Sequence, residues 1–521
     1  MTFSFNLIDQ RWIPCLRLDG ARDELSLHDL LAQAHQLREI RGDSPLETAA
    51  LHRLLLAVLH RVFGPKGWSA WNQLWQRKQF NMPRLDAYWS RKQIHQRFDL
   101  FDSRQPFYQV RDPRASEKSV ISMVLEMASG NNATLFDHST EGGNVVLSPA
   151  QAVRALLASQ AFGIGGLSGL SDKFTDAPCA KGIIFLASGS NVFETLMLSL
   201  VRYHGDDPIP NEPDDCPSWE MDDPFKPDRT QPKGYLDYLT WQNRRIWLFP
   251  EQAANGIVVR HMCWAPGLRL DAERLDPMKQ YLVDEQEGLH PLLFKPDRAL
   301  WRDSATLFRW NDKNKSPSVV KWLADLAQQG FIDANRQYRL MALGMAKDRA
   351  SLDFFRAEAL PLSLSFLTIE DRLGDLATAL ESAEKIGWLL RSTTFMLARL
   401  ILNPKLTNEA LKSDPRKEER ERVQPLSTSW GTERYFWSGL ELHFHRLVQD
   451  LPMDSPAALK AWRAQLRRAA RAAFKQAEDY AGADRRAQRA IVQARDEFDF
   501  GLRRILTEPN EADSTNGGEN Q

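Results

Sequence analysis

A chain of 521 residues is too long for one small core and predicts about two to four domains. Its 67 Lys and Arg against 68 Asp and Glu exclude a globally basic nucleic-acid binder, so any such partner must be met by a local patch. Scattered Cys15, Cys179, Cys216 and Cys263, with no C-x-x-C pair, exclude a disulfide framework and a zinc knuckle, and no window has the composition of a signal peptide or membrane span.

A soluble, cytoplasmic protein with no membrane partner is therefore expected. In chain order, FNLIDQRWIPCLRLDG reads as a short hairpin, Leu27 to Gln36 as a helix and Thr48 to Phe63 as a stronger one. In the latter, Leu51, Leu54, Leu55, Val58 and Val62 repeat at helical spacing around one buried stripe. Ser148 followed by Pro149 predicts a helix start leading into 151-QAVRALLASQAF-162, because the hydroxyl accepts from open amides where proline has none to offer. Residues 205–224 hold eight acidic residues, no basic one and five prolines, which predicts an exposed loop. Short strands are expected at 244-RRIWLF-249 and 256-GIVVRHMCWA-265.

From about residue 370 the pattern changes to long helical periodicity. The series Trp437, Leu440, Phe444, Leu447, Leu451 and the series Leu459, Trp462, Leu466, Ala469, Ala473, Ala477 each step by three or four. With 370–402 and 485–506 they give four candidate long helices. The predicted fold is α+β: a large mixed α/β N-terminal body (1–365), a C-terminal four-helix bundle (366–506) and a disordered acidic tail (507–521).

The stretch 162-FGIGGLSGLSDKF-174 places Gly163, Gly165, Gly166 and Gly169 within seven residues. It lacks G-x-x-x-x-G-K-[ST], and it follows a helix where a dinucleotide fingerprint needs a strand. Two readings stay open from the residues alone: a tight connection packed beneath a neighbouring element, or bare backbone that approaches a surface such as a DNA minor groove.

Several separated stretches, 6-NLIDQRWIP-14, 106-PFYQ-109, 129-SGNNATLFDH-138, 162-FGIGGLSGL-170, 341-MALGMAKDRASL-352 and 430-WGTERYFWSGLE-441, resemble one family in order over nearly the whole chain. It is the large subunit of the type I-E CRISPR surveillance complex Cascade, the CasA/Cse1 family. The resemblance implies an α/β body carrying a four-helix bundle, with no catalytic centre, cofactor or metal. It also implies a role: inspecting double-stranded DNA for the protospacer-adjacent motif, helping to separate the strands, and docking the helicase-nuclease. Partners would be target DNA, the crRNA-containing Cascade subunits and that helicase-nuclease.

By the same resemblance the minor-groove loop corresponds to Gly163, Gly165 and Gly166, and the loop that contacts the crRNA-handle end of the complex to Leu135, Phe136 and Asp137. The wedge that enters between the first base pairs corresponds to Lys347, Asp348, Arg349 and Ala350, with Arg349 where better-known members have glutamine. A minor-groove lysine falls nearest Lys279, and the paired cysteines that some relatives carry nearby are missing. Composition alone reads the wedge residues as a charged solvated turn, Phe136 as a core residue and Lys279 as a solvated lysine.

Between Leu451 and Leu506 stand 12 basic residues against seven acidic ones, and Arg463, Arg467 and Arg471 form a ridge at four-residue spacing. That ridge suits the phosphates of a displaced strand, or simply a wet helix face. Two rival functions remain. A protein–protein assembly scaffold would never touch DNA. An enzyme would have to be built on His204, His261, His290 or the His443 and His445 pair, which no catalytic spacing supports.

Overall fold

The computed structural model describes residues 3–127, 145–202, 209, 212–271, 274–284, 288–309, 314–349 and 351–507. Leu135, Phe136, Asp137, Ala350 and the tail from residue 508 lie outside the described residues. The chain divides into two compact units, one made of residues 1–300 and 309–364, the other of 301–308 and the chain from Ser365 onward. No helix among the described residues is long and apolar enough to cross a membrane.

The first unit is organised around the helix Pro45–Val62, capped by the Ser44 hydroxyl, which accepts from Glu47 N–H. The sequence predicted a single apolar stripe; the structure instead buries every residue from Ala49 to Leu59, so this helix is enclosed on all sides. Enclosure extends even to Arg53, whose charge is met by Asp276 at 3.1 Å, while Tyr238 donates to the same carboxylate at 2.6 Å.

Around this helix lie small antiparallel sheets. The expected opening hairpin is present as Ile13–Arg17 and Arg22–Leu25, joined by a third strand, Leu37–Ile40. Arg244–Ala253 pairs with Gly256–Pro266 as a hairpin. A third sheet orders Ser351–Ser363, Gln337–Asp348 and Ile183–Ser188, with the Gln337–Asp348 strand in the middle. The acidic segment departs from the expected exposed loop. From Glu212 onward it folds against the body, because Asp215 accepts from the Leu236 and Asp237 amides, and Glu220 holds Arg61 through two 2.6 Å bonds.

The second unit is helical. Glu370–Leu402, Ser455–Ala481 and Arg485–Leu506 pack together, with Lys417–Ser429 and Thr432–Ser438 against the first of them. The periodic series from Trp437 to Leu451 does not form one helix. It breaks at Gly439 and Leu440, and Glu441–Asp450 begins anew. Trp301 stacks on Phe444 at 4.7 Å, and its ring edge meets Trp462 at 6.5 Å, so the short 301–308 segment supplies part of this core.

The helix Pro149–Phe162 begins as the sequence predicted, and more completely. Ser148 accepts from Gln151 N–H, and the Gln151 side chain accepts from Ser148 N–H, a reciprocal capping box. Ser148→Ala is expected to lower stability by about 1 kcal/mol and Ser148→Asp to retain it, read as the shift in urea midpoint at constant slope.

Candidate nucleic-acid interface

The glycine-rich stretch leaves this helix and returns on itself. Gly163 ends the helix with its N–H on the Ser159 carbonyl at 2.9 Å, and Ala177 N–H closes the base of the loop on the Gly163 carbonyl at 2.8 Å. Halfway out, Gly166 and Phe174 exchange two backbone hydrogen bonds, of 3.1 and 2.9 Å. At the tip the Ser168 hydroxyl bonds to the Asp172 carbonyl, and the Asp172 carboxylate holds Arg114 at 2.7 Å. What remains outside these ties is Leu167, 84% exposed, with exposed Gly169, Ser171 and Lys173.

The glycines have distinct reasons to be glycine. A Cβ on Gly163 would lie 2.6 Å from the Ser159 carbonyl oxygen and 3.0 Å from the Arg244 guanidinium; one on Gly165 would lie 3.2 Å from atoms of both Phe174 and Asp176. Gly169 has open space around it but a φ of +78°, which side-chain-bearing residues resist. The amides of Gly165 and Gly166 are both committed, to Asp176 Oδ1 at 2.8 Å and to the Phe174 carbonyl. Those of Leu167 and Gly169 find no hydrogen-bond acceptor among the described residues.

Beneath the loop lies a residue that the sequence reading did not single out. Arg244, 1% exposed, donates to the carbonyls of Ile164 and Thr175, each at 2.9 Å, and thereby joins the outgoing and returning limbs. Its guanidinium sits 4.6 Å from the centre of the Phe174 ring, which packs on Trp264 at 5.0 Å. Among the described residues no carboxylate is within ion-pair distance, and burial pulls the guanidinium down to about 9, against the opposing field of Asp176, so it stays charged at neutral pH. A signal did exist: alternation along the strand places Arg244 on the same buried face as Ile246 and Leu248.

Antiparallel register brings the hairpin expected to act as the wedge to the same place. Ile183 pairs with Gly344, so the four further residues to Asp348 run past the start of the Ile183–Ser188 strand, alongside the segment that leaves the glycine loop. Lys347 reaches across and donates to both oxygens of Asp176 at 2.7 Å. Burial alone would raise the Asp176 carboxyl, but Lys347, the Gly165 amide and Lys181 outweigh it and hold it below the ordinary aspartate value. Asp348 and Arg349 are exposed, Asp348 pairs with Ser351, and Arg349 adopts a φ of +51°.

Lys279 is buried and donates to the Pro178 carbonyl at 2.6 Å, its ammonium lowered by burial despite Asp276, so it does not present a charge at the surface. In the helical unit Arg467 is exposed, Arg471 lies 3.6 Å from Asp499, and Arg463 is half-buried and partnered.

The family profile described as CRISPR-associated protein Cse1 matches residues 6–473 of this chain. A CRISPR-associated protein CasA/Cse1 of Thermus thermophilus is 34% identical over 512 residues, spanning 95% of this chain and 96% of its own. A crystal structure of CasA from Thermus thermophilus superposes with a TM-score of 0.78 at 30% identity, covering 96% of this chain and 99% of that one. A chain from a structure titled CRISPR RNA-guided surveillance complex shares the fold, with a TM-score of 0.77 at 21% identity, covering 95% and 99%.

Removing the clamp should loosen the loop. Arg244→Ala leaves two carbonyls without their donor and a void under Phe174, and is expected to cost roughly 3 kcal/mol, seen in urea unfolding and as new protease cleavage within 163–177. Arg244→Lys should not rescue it, because a point charge cannot bridge both limbs as the planar fork does. A depressed folded value means that the Asp176 contacts contribute stability above the unfolded aspartate value and lose it in acid. The thermal advantage of the native protein over Asp176→Asn should therefore be full at neutral pH and fade below about pH 4.

Proposed function

Because this chain belongs to the CRISPR-associated Cse1 family, we propose that it is the large, non-catalytic subunit of an RNA-guided surveillance complex, and that its glycine loop inspects duplex DNA at the protospacer-adjacent motif. The solved relative whose title names a CRISPR RNA-guided surveillance complex supports this reading. So does the shape of the loop. The single observation that carries it is a rigidly tied limb ending in exposed Leu167 and Gly169, whose amides find no acceptor among the described residues and can meet those of a groove floor.

In this reading Gly163, Gly165 and Gly166 let the loop fold thinly enough to enter a groove, and the tip makes the contacts. The neighbouring hairpin, with exposed Asp348 and Arg349, acts as the wedge that begins strand separation, Arg349 stacking on an exposed base. Arg467 and Arg471 on the helical unit hold the displaced strand through its phosphates. Exposed Trp388, Leu442 and Tyr480 on that unit favour docking of the helicase-nuclease there. Lys279 has no part in the reading.

Two variants test it in the assembled complex by gel-shift titration. Leu167→Asp should weaken binding to motif-bearing duplex by about ten-fold, or ~1.4 kcal/mol, with unchanged assembly. Equal affinity in the variant, or in a complex lacking this subunit, overturns the reading. Loss of assembly instead favours the scaffold. Arg349→Gly should preserve or raise the melting temperature, relieving about 1 kcal/mol of left-handed strain, while slowing strand opening.

A further inference from the structure

A single carboxylate joins the two elements to which DNA contact is assigned. Asp176 Oδ1 accepts the Gly165 N–H at 2.8 Å, both oxygens accept the Lys347 ammonium at 2.7 Å, and Lys181 approaches Oδ2 at 3.3 Å. Lys347 is only 14% exposed in this pair and Asp176 25%, so the contact is shielded far better than a surface ion pair and has little competition from salt. The ammonium also donates to the Arg349 carbonyl at 3.3 Å, which ties the turn itself to the same point. A lysine that composition alone would place in a solvated turn is directed inward instead.

We propose that Asp176 is a positioning residue that couples motif inspection to strand opening: it fixes the distance and orientation of the wedge turn relative to the glycine loop. The inference rests on the functional reading above. A loop seated in a groove then delivers the hairpin tip to the adjacent base pair without a separate search, in the way that preorganised groups avoid the cost of ordering at the moment of use. Flanking Gly165 and the Arg244 clamp hold the loop side of the joint. The Ile183 to Gly344 register holds the hairpin side.

The test uses the complete ribonucleoprotein and a duplex carrying a fluorescent base analogue at the first pair beside a motif selected with the native assembly. Asp176→Asn keeps an acceptor for Gly165 and loses the charge pair; Lys347→Met removes the other partner. Each should bind the motif duplex within about three-fold of native yet open it about ten-fold more slowly, and the double variant should be no slower than either single one. Lys347→Arg should restore opening. Should Asp176→Asn fail to fold, the contrast between Lys347→Met and Lys347→Arg decides. Unchanged opening in the single variants, or losses that multiply in the double variant, overturns the coupling. If the native assembly does not distinguish motif from non-motif duplex, the functional reading itself fails, which is a separate outcome.

Discussion

A guanidinium buried beneath a loop is the constraint on which the candidate interface depends. Arg244 has no carboxylate in contact among the described residues, so its desolvation is offset by carbonyl oxygens and the face of Phe174. The carbonyls of Ile164 and Thr175 must point inward to supply those oxygens. Inward carbonyls on both limbs fix the peptide planes between them, and Gly163 must lack a Cβ for the guanidinium to fit. The glycine-rich segment is therefore held at its base, and only the tip beyond the Gly166 and Phe174 bridge is left to meet another molecule.

The same logic extends to charge. Within the first unit Arg53 and Lys279 are taken inside and satisfied by Asp276 and by a carbonyl, whereas Lys347 is drawn back to Asp176. Cations that would count toward a basic patch in a sequence census are thus spent on the interior, in keeping with a near-neutral chain that has no strongly basic character. Exposed cations at the loop and hairpin include Lys173, Arg349, Lys181 and Arg114, the last two held by Asp176 and Asp172, so the positive charge there is a small, local feature.

Much of the fold was legible because its signals are local. Ser148 and Pro149 start a helix by satisfying or lacking amides, and the stripe through Trp462, Leu466 and Ala473 repeats with the helical period. What periodicity missed is tertiary. The series from Trp437 to Leu451 keeps its spacing across a break, since spacing alone carries no information about where one helix ends at Gly439 and the next begins. The helix at Pro45–Val62 looked one-sided because Arg53 reads as polar, and only Asp276, from a distant part of the chain, makes it tolerable inside. Of the site, the clustered glycines were visible; Asp176 was not, since nothing in DAPC marks an aspartate that will meet Lys347 from another sheet strand.

The order in which the sheet is assembled carries a cost for synthesis. Ile183–Ser188 gains its neighbour only when Gln337–Asp348 has been made, so a nascent chain holds an apolar strand with an open edge for a long stretch of translation. Premature termination anywhere between those strands leaves that edge bare, and a truncated product would be prone to stick to its own copies.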